Sequence, residues 1–126
     1  PGHLEEHQNL TELLIYGIDQ RLLDQEGRNV TLDFINKITA LSKTERVIVP
    51  QDMPLDVVIG NPDWYRRIPN DCFSAGSPTF ILDTCIVVMM FDFGETWIID
   101  NGTYAAMQKK IFEFLWRHAE SFDSHS

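Results

Sequence analysis

Between residues 79 and 99 three short apolar stretches follow one another with little more than turn residues between them, and no other feature of the chain restricts its fold as much. Residues 79–82, 85–91 and 96–99 are separated only by Asp83-Thr84 and by Asp92-Phe93-Gly94-Glu95. Stretches of this length, rich in β-branched and aromatic residues and joined by such short links, leave no room for helical crossovers. They predict an antiparallel meander. An all-helical body is thereby excluded.

Upstream, Leu13-Leu14-Ile15-Tyr16 closed by Gly17 reads as a buried strand. Gly27 marks a break, and Thr31 is placed to cap a helix in which Phe34, Ile35, Ile38 and Leu41 recur at helical spacing, with Asp33, Asn36 and Lys37 on the wet side. Arg46-Val47-Ile48-Val49, ended by Pro50, is the next strand. A strand, helix, strand order favours two parallel neighbours joined by a crossover. Pro50, Pro54, Pro62, Pro69 and Pro78 punctuate the middle of the chain; residues 55–59 suit either a short helix or a strand. Trp64-Tyr65-Arg66-Arg67-Ile68 reads as a strand with alternating faces and residues 70–78 as a loop. After Asn101-Gly102-Thr103, Tyr104, Met107, Ile111, Leu115 and His118 follow one helical stripe, widened by Phe112, Phe114 and Trp116. This closing helix is expected to pack across the sheet. The expected fold is therefore α/β (α+β): a mixed sheet of about five to six strands opening with a βαβ unit, then the meander and the C-terminal helix. Residues 1–10 read as a linker or helix remnant from an upstream segment, 11–121 as a single regulatory domain and 122–126 as a tail.

Composition narrows the function. The 126 residues carry 10 basic and 19 acidic side chains, a formal charge of −9, which repels phosphate backbones and argues against DNA contact by this chain alone. The longest apolar run, residues 85–91, falls far short of the roughly 18 residues of a membrane span; no membrane association and a cytoplasmic location are expected. Cys72 and Cys85 lack metal or disulfide spacing and read as buried apolar residues in a reducing compartment. Asn9, Asn29 and Asn101 match N-x-[ST], but turns and helix caps use the same pairs. The chain opens Pro1-Gly2 without a methionine, as expected of a piece of a longer protein.

Signs of catalysis are sparse. His3-Leu4-Glu5-Glu6-His7 formally matches the zinc pattern H-x-x-E-H, yet it sits at the terminus with no third ligand in sight. The glycines form no phosphate loop. All four histidines (His3, His7, His118, His125) lie in the terminal segments, far from either cysteine in sequence, so a nucleophile and base pair is not indicated. Asp83, Asp92 and Asp100 suit strand-end turns. No catalytic residue, metal or cofactor is expected. The one cluster uniting aromatic faces with fixed cations is Trp64, Tyr65, Arg66 and Arg67, a candidate effector-binding group. Strand alternation, however, sends Trp64 and Arg66 to one face and Tyr65 and Arg67 to the other, and each arginine can simply pair with a local acid.

The second half of the chain resembles a known family. Tyr65-Arg66-Arg67-Ile68-Pro69, the hairpin from Phe80-Ile81-Leu82-Asp83 into Cys85-Ile86-Val87-Val88-Met89-Met90, Trp97-Ile98-Ile99, and the closing Phe112-x-x-Leu115-Trp116-x-x-Ala119 resemble the C-terminal effector domain of TrmB-like transcriptional regulators, similar to one half of a phospholipase D-like fold. Asp83-Thr84-Cys85 departs from the Gly-Asp-Lys turn common in the family, and the phospholipase D pattern H-x-K-x4-D is absent. The resemblance implies a non-catalytic sensor or dimerisation module that follows a winged helix-turn-helix. It would touch DNA only through that missing N-terminal domain, with a homodimer and a small-molecule effector as partners and Phe112 and Trp116 at the interface. The competing expectations are a stand-alone protein–protein interaction domain of a signalling or defence system, and an unrecognised hydrolase built around His118 with Cys72 or Cys85.

Overall fold

The computed structural model describes residues 12–72, 77–90 and 95–122. Strand β1 (Glu12–Tyr16) leads through a short turn to helix α1 (Gln25–Ala40), then to β2 (Thr44–Pro50) and β3 (Tyr65–Ile68). The meander follows as β4 (Thr79–Ile81), β5 (Ile86–Met90) and β6 (Glu95–Ile99). Helix α2 (Gly102–His118) and the two-residue β7 (Glu120–Ser121) close the domain. The sheet has the order β6-β5-β4-β1-β2-β3-β7. Its centre is parallel, β1 against β2 and β2 against β3, and both margins are antiparallel. The mixed α+β sheet, its opening crossover and its meander are as expected. The seventh strand is β7, too short to leave a pattern in sequence. Residues 55–59, open between helix and strand, contain a single turn of tight helix at Leu55–Val57.

Helix α1 starts earlier than Thr31. The Asp24 carboxylate accepts the Gly27 amide at 2.8 Å and so caps the helix; Gly27 lies inside the first turn, and the Thr31 hydroxyl instead donates back to the Gly27 carbonyl at 2.8 Å. Polar first turns hide a helix from hydrophobic periodicity, because only its second half reaches the sheet. At the other end Ser42 takes a left-handed conformation with φ 59°. The amides of Lys43 and Ser42 reach back to the carbonyls of Ile38 and Thr39, the paired bonds of a Schellman cap. Gly60 (φ +102°) passes so close to α1 that a Cβ would stand 3.0 Å from Ile35 Cδ1.

Strand alternation builds two cores. Leu13, Ile15, Val47, Val49 and Tyr65 face α1 and bury Ile38, Met53, Leu82 and Cys85 with them. Leu14, Ile48, Ile68, Ile81 and Ile86 face α2 and enclose Ala105 and Phe112. Each helix thus covers one sheet face, and β2, apolar on both sides, lies at the centre. Cys72, expected in the core, is exposed; Cys85 is buried, because the turn Asn70–Cys72 sits outside the sheet. No helix among the described residues is long and apolar enough to cross a membrane. The His3 to His7 motif, Asp92, His125 and the proposed linker and tail lie outside the described residues, apart from Phe122, which is half-buried.

Candidate interaction surface

The four residues of the expected effector cluster do not come together. Tyr65 is buried on the α1 face, where its hydroxyl donates to the Ile59 carbonyl at 2.6 Å and accepts from Gln20 Nε2 at 2.8 Å. Gln20 Oε1 in turn accepts the Ile59 amide at 2.9 Å, closing a ring of bonds that pins the loop after β2 to the sheet. Trp64 is half-buried in the same core. Arg66 projects to the other face. Its guanidinium lies 4.5 Å from the Trp116 ring centroid and donates to the Trp116 carbonyl at 2.7 Å, satisfying one of the last acceptors of α2. Arg67 packs over Phe122 and pairs with Glu120 at 3.3 Å, linking β3 to β7. Both arginines are thus held by contacts within the fold.

Phe112 and Trp116, expected at an interface, face the sheet: Phe112 is fully buried and stacks on the half-buried Trp116. Arg46 lies near both rings and holds Glu113 and Glu12, which keeps the Glu113 carboxyl below its usual acidity range. Asn101 starts α2, its side chain accepting the Tyr104 amide at 2.9 Å. What the helix buries is the side bearing Ala105 and Phe112, where alanine lets the backbone approach the strands. Of the stripe expected to lie on the sheet, Leu115 does so beside Phe112 and Trp116, while the rest of its apolar residues are turned away. Tyr104, Met107, Ile111 and Phe114 are 37%, 49%, 46% and 55% exposed.

Strand β6 extends this apolar character. Its residues are all exposed, and Trp97 and Ile99 pair with Val88 and Ile86, so they point to the α2 side of the sheet. Trp97, at 53% exposure, is the exposed tryptophan among three. Exposed large apolar side chains on one helix and one edge strand of the same face make this the candidate interaction surface, with Lys110, Glu113 and Arg117 on the outer flank of the helix. The sequence signalled Trp97, Tyr104, Met107, Ile111 and Phe114 as apolar but not that no described residue covers them. His118 sits on α2 with its ring 4.6 Å from that of Phe114, whereas Cys85 belongs to the core on the opposite face, so these two residues are not brought together. Among the described residues no cluster of His, Cys, Asp or Glu is arranged to hold a metal.

No protein-family model and no curated protein matches the chain. Among solved structures it is similar to TrmBL2, an archaeal chromatin protein whose structure shows a novel mode of DNA binding. The TM-score is 0.59 at 15% identity, over 95% of this chain and 49% of that one. The chain therefore spans about half the length of this structural neighbour. At that identity the likeness is one of fold: the sheet and helices described above have the architecture of part of a TrmB-like archaeal protein.

Proposed function

We propose that the chain is a non-catalytic regulatory domain of a TrmB-like protein, and that it works by self-association through the α2 and β6 face. The observation that carries this reading is the exposed stripe Tyr104, Met107, Ile111 and Phe114. A monomer gains nothing from leaving four large apolar side chains in water along one helix, whereas a second copy crossing the same stripe buries them at about 25 cal/mol per Å² of apolar surface. The net charge of −9 opposes association of two copies elsewhere on the surface. On α2, however, Lys109, Lys110 and Arg117 outnumber Glu113, so this helix is spared the general acidic repulsion. In a longer protein such pairing would set the spacing of attached DNA-binding units, and an effector favouring one arrangement would shift DNA affinity.

Sedimentation equilibrium tests the proposal. The chain should run at twice its 14.6 kDa mass, and Met107→Glu with Ile111→Glu should return it to a monomer with an unchanged far-UV spectrum. A wild-type monomer at high micromolar concentration would refute self-association and leave the stripe to a different protein, the interaction-domain alternative.

A further inference from the structure

On the sheet face opposite α2, helix α1 and the strands line a half-open cavity of about 670 Å³, within the roughly 300–1,000 Å³ typical of small-molecule sites. Its walls are hydrocarbon: Ile15, Val47, Phe80 and Val87 from the sheet, Val30 and Phe34 from α1. One buried carboxyl stands among them. Glu45 of β2 is 3% exposed and lines the cavity, with no hydrogen bond or ion pair to any described residue. The neighbouring polar groups are otherwise engaged or outside. The Tyr65 hydroxyl is spent on Ile59 and Gln20; Arg28 is bound to the carbonyls of Gln20 and Val57. Asp33 and Lys37 lie on the exposed side of α1 at the cavity's edge.

A buried carboxyl that no described residue pairs is costly, and an apolar or amide residue at this position would serve the core better. The arrangement makes sense when a ligand supplies the missing partner. We propose that the cavity binds a small, largely apolar molecule with a single basic nitrogen, its nitrogen on the Glu45 carboxylate and its hydrocarbon part between α1 and strands β4 and β5. The acidic chain, at −9, favours a cationic over an anionic visitor. The site lies across the sheet from the self-association surface and does not depend on it, so oligomer mass and ligand affinity fail separately.

The test is calorimetry and methyl NMR on the intact chain, at about pH 8 where the carboxyl is ionised, with phenylbutylamine and its neutral analogue phenylbutanol. The amine should saturate at least about ten-fold more tightly than the alcohol, the margin of a charge-assisted contact in an apolar site, and should shift Ile15, Val47 and Val87. Glu45→Gln should abolish the amine's advantage while leaving alcohol binding unchanged, and Val87→Trp, which fills the cavity, should remove both. Equal affinities for amine and alcohol in the wild type, no saturation by either, or shifts confined to α2 and β6 would overturn the proposal.

Discussion

Replacing Glu45 by glutamine probes the buried carboxyl without a ligand. Burial pushes its pKa from the ordinary 4.5 up to about 7, with no donor among the described residues to offset the loss of water. Between these two values the folded chain holds a proton that the unfolded chain has released, so stability falls as pH rises through this window. Integrated, the gap is worth about 3 kcal/mol, at about 1.4 kcal/mol per pH unit. The contribution is absent below about pH 4.5 and complete above about pH 7. Near pH 5 Glu45→Gln should change stability little, since a protonated carboxyl and an amide have similar shape and polarity. Near pH 8 the variant should be more stable by up to about 3 kcal/mol, roughly 10 °C in melting temperature for a domain of this length. Urea denaturation followed by tryptophan fluorescence, run on both proteins from about pH 5 to 8, gives the difference directly and cancels every titration the two share. Parallel stability curves across that range would show that Glu45 is solvated, and the reasoning would fail.

Two further outcomes follow from the geometry. Asp24→Ala should cost about 1 kcal/mol because it removes the α1 cap, while Thr31→Ala, whose hydroxyl only bonds back along the helix, should stay within about 0.5 kcal/mol; equal effects in denaturant titrations would reverse the assignment of the cap. Arg66→Ala should lower stability by about 1–3 kcal/mol through loss of the Trp116 ring contact and carbonyl bond. It should leave amine affinity unaltered, and calorimetry showing a large affinity loss without destabilisation would restore Arg66 as a ligand residue.

The candidate surface was half legible in sequence. Trp97, Tyr104, Met107, Ile111 and Phe114 stand out as apolar residues at strand and helix spacing, but two apolar stripes run along α2 and composition does not say which one the sheet takes. The same holds for the cavity. Glu45 precedes the apolar run of β2 and looks like a solvent-facing strand end until α1 is laid over it.

What the sequence determined by itself is local: the apolar runs of β1, β2 and the meander, the tight links between β4, β5 and β6, and the Asn101 start of α2. These depend on backbone preference and periodicity within a few residues, which any chain segment expresses in place. Only the tertiary structure decided that β3 joins the parallel centre, that Trp64 joins the core of Tyr65 instead of the face of Arg66, and that α2 buries Ala105 and Phe112 while Tyr104, Met107, Ile111 and Phe114 remain in water. Those outcomes turn on which surfaces fit one another at close range, a property of pairs of elements distant in sequence that no single segment encodes.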